Sequence, residues 1–159
     1  SAEAKQEAAI KIFGSIEQLD VFAASKNIAL FATMKDEVPT DVALERWSRM
    51  GKHIVVPRVE GDIMRFYDYV PERMTTGAFG IEEPMGDDEF SVGDIDLIIV
   101  PARAFTTSGV RLGRGGGFYD KFLASEPDHP TVALCYSFQM LPSLETEAFD
   151  VPVDLVLWA

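Results

Sequence analysis

Cysteine is almost absent from this chain. Cys135 is the single one, so no internal disulfide can form and a disulfide-stapled scaffold is excluded. One cysteine fits a reducing compartment. Long apolar runs are missing too, and none approaches the ~18 residues that a membrane-spanning helix needs. Residues Ser1 to Gln6 lack the positively charged stretch and apolar run of a secretory signal, so a cytoplasmic protein is expected. Basic residues are scarce: 14 Lys and Arg stand against 26 Asp and Glu, for a formal net charge of −12. Such a surface suits neither a nucleic-acid backbone nor an anionic membrane. It does not exclude a small anionic ligand held by a few local cations. His53 and His129 are the only histidines. The first falls in an expected strand and the second in a proline-flanked loop, so a histidine base is not expected.

The 159 residues, 47% apolar and 25% charged, are enough to bury one core without staples. A single domain over 1–159 is the simplest organisation, with no internal repeat or low-complexity tract. Ala2 to Ser25 reads as helix, with Ile12, Ile16, Leu19 and Phe22 near helical spacing. Thr40 to Met50 reads as a second helix, capped by Thr40 and stopped at Gly51-Lys52. Short apolar strands are expected at Asn27–Ala32, His53–Pro57, Met64–Val70, Asp96–Pro101, Thr131–Tyr136 and Val153–Trp158. Gly77 to Glu89, with glycines, a proline and five acidic residues, reads as loop, as does Gly109 to Tyr119. Asp120 to Ala124 opens another helix. Strands spaced by helices and loops imply an α/β fold, an open, mostly parallel sheet with helices on both faces. Cys135 is expected to be buried on its strand.

The richest chemistry lies in Arg111-Leu-Gly-Arg-Gly-Gly-Gly-Phe-Tyr-Asp120. Glycines let backbone N–H groups converge on an anion, because no Cβ blocks the approach. A helix starting near Tyr119 would add its positive end. Arg111 and Arg114 supply fork-shaped cationic donors suited to phosphate. The plainer reading is a flexible surface turn. No Gly-Lys-Ser/Thr follows, so this is not a Walker A loop. Counting from Gly113, Phe118 occupies the third glycine position of a dinucleotide fingerprint, so that pattern fails as well. Asp120 ends the loop, where a carboxylate beside phosphate is tolerable with a cation between them. Mg²⁺ commonly binds through one or two carboxylates plus phosphates. A helix N-cap is the structural alternative for Asp120. Asp154 opens an apolar strand, as a second candidate ligand or as a solvated strand terminus.

The stretch DLIIVPARAFTTSGVRLGRGGGFYD, from Asp96 to Asp120, resembles the signature of the 5-formyltetrahydrofolate cyclo-ligase (methenyltetrahydrofolate synthetase) family. That signature is an apolar strand ending in Pro, a Phe, then G-x-RLG-x-G-x-G-aromatic-Tyr-Asp. Further blocks match in order: Asp36-Glu-Val-Pro-Thr40, Gly51-Lys-His-Ile-Val-Val-Pro57, Gly80-Ile-Glu-Glu-Pro84, Phe138-Gln139 and Asp150-Val-Pro-Val-Asp154. The resemblance implies the three-layer architecture shared with sugar-phosphate isomerases and CoA transferases (NagB/RpiA/CoA transferase-like). It implies ATP- and Mg²⁺-dependent cyclisation of 5-formyltetrahydrofolate to 5,10-methenyltetrahydrofolate, with ADP and phosphate released, by a monomer.

Carried over position by position, the resemblance implies ATP contacts at Arg111, Gly113, Arg114, Gly115, Gly116 and Gly117. It implies catalytic roles for Arg114 and Tyr119, and magnesium carboxylates at Asp120 and Asp154. Phe118 and Tyr119 resemble an aromatic pair between nucleotide and folate, with Phe118 where Tyr is usual. Glu37 matches a carboxylate on the pterin. Met64, Phe66 and Phe79 fall at apolar pterin-pocket positions, where plain core residues are the alternative. Three features depart from the pattern. The family's basic N-terminal helix, whose Lys and Arg grip ATP, matches a region before Ser1. Thr106 stands where Asp is usual, and Phe149 stands where His is usual. Two other readings compete: a non-catalytic paralogue that binds nucleotide or folate, and a sugar-phosphate isomerase-like enzyme of related fold.

Overall fold

The computed structural model describes residues 2–31, 38–61, 63–76, 82–100, 104–106, 108–109, 111–112, 122–124, 129–142 and 153–159. Its helices are α1 (Ala2–Glu17), α2 (Asp20–Ala24) and α3 (Asp41–Arg49). Its strands are β1 (Asn27–Ala29), β2 (His53–Glu60), β3 (Ile63–Asp68), β4 (Met74–Thr76), β5 (Glu82–Pro84), β6 (Leu97–Val100), β7 (Ala104–Phe105), β8 (Arg111–Leu112), β9 (Thr131–Cys135) and β10 (Leu155–Trp158). Six strands form one sheet in the order β10-β9-β6-β1-β2-β3. All neighbours are parallel except β3, which returns antiparallel to β2 at the edge. The open, mostly parallel α/β sheet expected from the sequence is therefore present. Two antiparallel pairs, β4 with β5 and β7 with β8, stand apart from it.

The strand period sends alternate side chains to opposite faces. Leu97 and Ile99 of β6 point one way with Ile28, Ile54, Val56, Val132 and Leu134, and α1, α2 and α3 cover this face. Ile98 and Val100 point the other way, into a layer built from Phe66, Phe105, Phe122, Leu123 and Val153. Residues 122–124 are helical on this second face. β6 and β9 are buried along their whole length, as central strands covered on both sides must be.

Trp47 of α3 is fully buried between Phe13, 5.6 Å away edge-on, and Phe22 at 5.0 Å. Trp47→Ala should cost about 3–5 kcal/mol of stability, measured by denaturant titration. Trp47 Nε1 donates to Glu17 Oε2 at 2.9 Å, and Arg46 donates to the same carboxylate through Nε (2.8 Å) and Nη2 (2.9 Å). The Arg46 hydrogen bond holds Glu17 below its ordinary range against the upward push of its burial, with help from the indole. The folded state thus resists protonation more than the unfolded chain does. This stabilisation is complete above the ordinary Glu value of 4.5 and is lost as pH falls through the lower folded value. The thermal midpoint of the parent protein should drop more steeply below pH 4.5 than that of Glu17→Gln.

The structure revises several boundaries. The single helix expected over Ala2 to Ser25 breaks at Gln18-Leu19, where Leu19 is extended at ψ 140°. The break leaves Ile16 in the core and swings Phe22 onto Trp47. Thr40 precedes α3 but makes no capping bond. Its buried hydroxyl donates instead to the Phe31 carbonyl at 2.6 Å, pinning the start of α3 to the chain just after β1. β2 does not stop at Pro57 but runs on to Glu60. β1 pairs with β2 only as far as Val55, so the absent N–H of Pro57 falls where no strand among the described residues pairs with β2. The loop expected over Gly77 to Glu89 contains β5, which pairs with β4. Its glycines and acids hid that strand.

Candidate active site

Two distant parts of the sequence meet beside the glycine-rich stretch. The Val153 N–H donates to the Gly109 carbonyl at 2.9 Å, and the Gly109 N–H donates to Thr106 O at 3.1 Å. Gly109 has φ +91°, and a Cβ there would lie 2.2 Å from the Val153 carbonyl oxygen. Only glycine fits this approach. Thr106, a departure from the family pattern, has a local use: its Oγ1 shares a hydrogen bond with Ser108 Oγ at 2.8 Å inside the same turn. β8 then leaves antiparallel to β7, with Phe105 opposite Arg111, and the chain enters the glycines.

Asp154 follows Val153 directly. Its Oδ2 accepts the Thr131 N–H at 2.9 Å, and its own N–H donates to Thr131 Oγ1 at 2.8 Å. The reciprocal pair locks the amino end of β10 to that of β9. Ligand groups in open α/β sheets usually gather at the carboxyl ends, so Asp154 lies at the opposite end from that rule. It is exposed and offers hard oxygen donors, the type Mg²⁺ prefers. Among the described residues no group of three or more His, Cys, Asp or Glu could hold a metal. A Mg²⁺ site made of one or two carboxylates plus phosphates needs no such group.

The aromatic residues on either side of the glycine stretch converge. Phe105 before it and Phe122 after it share one buried cluster with Phe66 and Val153, and Met64 packs against that cluster. The Phe66 and Phe122 rings are 5.0 Å apart. Phe66 is fully buried and Met64 half-buried. Phe66 is therefore a core residue, and Met64 is the more accessible of the two. Arg111 lies in β8. Glu37, Phe79, and Gly113, Arg114, Gly115, Gly116, Gly117, Phe118, Tyr119 and Asp120 lie outside the described residues.

Other titratable groups near the sheet have structural partners. His53 Nε2 faces Asp68 Oδ1 at 2.8 Å and its Nδ1 faces Asn27 Oδ1 at 2.9 Å. His129 Nδ1 donates to the Ile95 carbonyl at 2.8 Å. Asp96 accepts the N–H groups of Lys26 (3.0 Å) and Asn27 (2.9 Å), fixing the start of β1. Cys135 is buried as expected, and burial pushes its thiol up to about 12. It is thus kept from being a nucleophile.

Sequence reasoning missed one group. The Arg58 guanidinium lies 3.8 Å over the Tyr67 ring, and its Nε donates to Glu60 at 3.0 Å. Tyr67 donates its hydroxyl to the same carboxylate. That bond, aided by Arg58, holds Glu60 below the usual carboxylate range against desolvation. The available signal was an Arg and a Glu two apart on one strand face.

No helix among the described residues is long and apolar enough to cross a membrane. A model of the 5-formyltetrahydrofolate cyclo-ligase family matches residues 1–159. The 5-formyltetrahydrofolate cyclo-ligase of Mus musculus is 29% identical over 99% of this chain and 85% of the mouse protein. That of Haemophilus influenzae is 31% identical over 84% of this chain and 75% of its own length. In structure, the chain is similar to the Aquifex aeolicus 5,10-methenyltetrahydrofolate synthetase. The TM-score is 0.85 at 34% identity, over 99% of this chain and 81% of the other. The Mycoplasma pneumoniae 5,10-methenyltetrahydrofolate synthetase gives a TM-score of 0.77 at 27% identity, over 98% and 87%. Signature, fold and a family match over residues 1–159 agree: the chain belongs to the 5-formyltetrahydrofolate cyclo-ligase family of enzymes.

Proposed function

We propose that this chain catalyses the ATP- and Mg²⁺-dependent cyclisation of 5-formyltetrahydrofolate to 5,10-methenyltetrahydrofolate, releasing ADP and phosphate. Family membership supports the activity. Within the molecule, the observation that carries it is the convergence of both flanks of the glycine stretch with Met64, Phe66 and Val153 in one cluster. A glycine-rich anion loop beside an apolar layer suits an enzyme that brings a nucleotide to a flat heterocycle.

The formyl oxygen is a poor leaving group until it is phosphorylated. It attacks the γ-phosphorus as the bond to ADP breaks, giving a phosphorylated imidate. The N10 lone pair then attacks the formyl carbon, phosphate leaves with the carbon–oxygen electrons, and the N10 proton passes to that phosphate or to solvent. The protein's task is positioning and charge neutralisation. The backbone N–H groups of Gly113, Gly115, Gly116 and Gly117 hold phosphate oxygens, and Arg111 and Arg114 neutralise their charge. Phe118 and Tyr119 separate nucleotide from folate. Glu37 accepts hydrogen bonds from the pterin amino and ring N–H groups. Asp120 and Asp154 would hold Mg²⁺, which supplies further charge neutralisation on the phosphates.

The reading is tested by ADP release. ADP should form only with 5-formyltetrahydrofolate present, one per methenyl product; release without folate, or turnover of a sugar phosphate without ATP, contradicts it. Asp154→Asn separates a metal ligand from a strand anchor. The amide oxygen can still accept the Thr131 N–H, so the fold should survive. The Mg²⁺ concentration giving half-maximal rate should rise by about tenfold. An unchanged Mg²⁺ requirement would leave Asp154 only its anchoring role.

A further inference from the structure

The carboxyl ends of β9 and β10 frame a cavity on the face of the sheet that carries α1. It encloses about 350 Å³ and is lined by Lys5, Ala8 and Lys11 of α1 and by Tyr136, Phe138 and Ala159. Small-molecule pockets run from about 300 to 1,000 Å³, and open α/β sheets gather their ligands at these strand ends. Tyr136 shares its buried cluster with Ile12 and Ile16 of α1. The flanks of the glycine stretch, Phe105 and Phe122, pack with Ile98 and Val100 on the opposite face. The cavity therefore lies across the sheet from the cluster that carries the proposed reaction.

Phe138 is 73% exposed, the highest value among the described large apolar residues. Its exposure is not that of a loose side chain. The ring stacks on buried Tyr136 with centroids 5.2 Å apart and planes within 16°. The short turn that carries it, Ser137–Gln139, is tied down on both sides. Gln139 Oε1 accepts the Tyr136 N–H at 2.8 Å, and the Ser137 N–H donates to the Ala159 carbonyl at 2.9 Å. One ring face is thus fixed against the protein and the other is open to a further ring. The cations stand beside it. Lys5 and Lys11 are the only basic residues of α1, both line the cavity, and neither ammonium pairs with a carboxylate among the described residues. Glu7 is the acid on the rim. In a chain of formal net charge −12, two unpaired lysines on one cavity make a local site for negative charge. We propose that this cavity binds an aromatic anion, with its ring stacked on Phe138 and its carboxylate or phosphate held by Lys5 and Lys11. Nucleotides and aryl carboxylates share that chemistry.

The test is calorimetric titration of the full chain with adenosine 5′-monophosphate and with 4-aminobenzoate. Adenosine, aniline and inorganic phosphate serve as probes that lack either the anion or the ring. Each titration is run with and without a saturating non-hydrolysable ATP analogue. At least one ring-bearing anion should bind saturably, more tightly than its fragments and equally well in both conditions. Which of the two binds tells a nucleotide site from an aryl carboxylate site. Phe138→Ala should raise its Kd about tenfold, as loss of a stacking ring does. Replacing both lysines, Lys5→Gln with Lys11→Gln, should raise the Kd and remove most of its salt dependence. The rate of methenyl formation should stay at the parent value in every variant. Should Phe138→Ala fail to fold, the lysine variant carries the test. Absence of saturable binding overturns the proposal, as does a Kd that the variants leave unchanged. Fragments that bind as tightly as the whole anion overturn it too. Binding that the ATP analogue abolishes belongs to the nucleotide site of the proposed reaction and likewise overturns it.

Discussion

Arg114→Ala should lower kcat/KM for ATP-dependent cyclisation by about 10³-fold, with little change in the thermal midpoint. Transferring a phosphoryl group spreads negative charge over its oxygens, and a fixed guanidinium stabilises it without reorganising. The need is acute in a chain whose formal net charge is −12, where the overall field repels ATP. Arg111 and Arg114 are the cations the sequence places beside its glycines. Arg114→Lys should recover only part of the rate, because an ammonium lacks the two-pronged fit to phosphate. The check is a kinetic comparison of the three proteins at saturating folate. A loss of folding stability in step with the loss of rate would mean that Arg114 holds the loop rather than the phosphate.

Gly109→Ala should displace backbone directly. The new Cβ would sit 2.2 Å from the Val153 carbonyl oxygen on a backbone at φ +91°. Backbone is the obstacle, so no side-chain rotation relieves it. Either the turn before β8 or the strand start bearing Asp154 must move. The left-handed backbone alone costs about 1–2 kcal/mol for a residue with a Cβ. With the clash, about 3 kcal/mol or more of destabilisation is expected. The Val153–Gly109 bond joins the turn leading into the proposed phosphate loop to the proposed Mg²⁺ carboxylate, so whatever folds should need more Mg²⁺. Denaturant titration and a Mg²⁺ titration of the rate check both. Unchanged stability would show that the two segments part easily.

The sheet was legible because its central strands are mostly apolar. LIIV of β6 and TVALC of β9 have no reading but burial on both faces. Less visible were features set by tertiary partners. The break after Glu17 lets both Glu17 and Phe22 meet Trp47, which is 30 residues away from Glu17 in sequence. The Thr40 hydroxyl prefers a carbonyl nine residues back to its own helix. β5 looked like loop because Glu82 and Glu83 suggest solvent, yet Glu83 accepts the Val59 N–H of β2. At the site, the glycine stretch and Asp154 were readable as chemistry. That Gly109 joins them was not, since nothing local distinguishes a glycine under a carbonyl from one in an open turn. The reach of Arg58 to β5 was missed because it runs through the backbone carbonyls of Pro84 and Gly86, which leave no mark on side-chain patterns.

The most direct test of a phosphorylating folate cyclase is an absorbance measurement. The protein, with any residues that precede Ser1 in its full chain, is mixed with 5-formyltetrahydrofolate, ATP and Mg²⁺, and the methenyl chromophore is followed. A rise that requires both ATP and Mg²⁺, and that disappears in Arg114→Ala, is the predicted result. No rise while ATP and folate still bind would contradict catalysis and leave a binding protein. No rise and no binding would contradict the folate site itself.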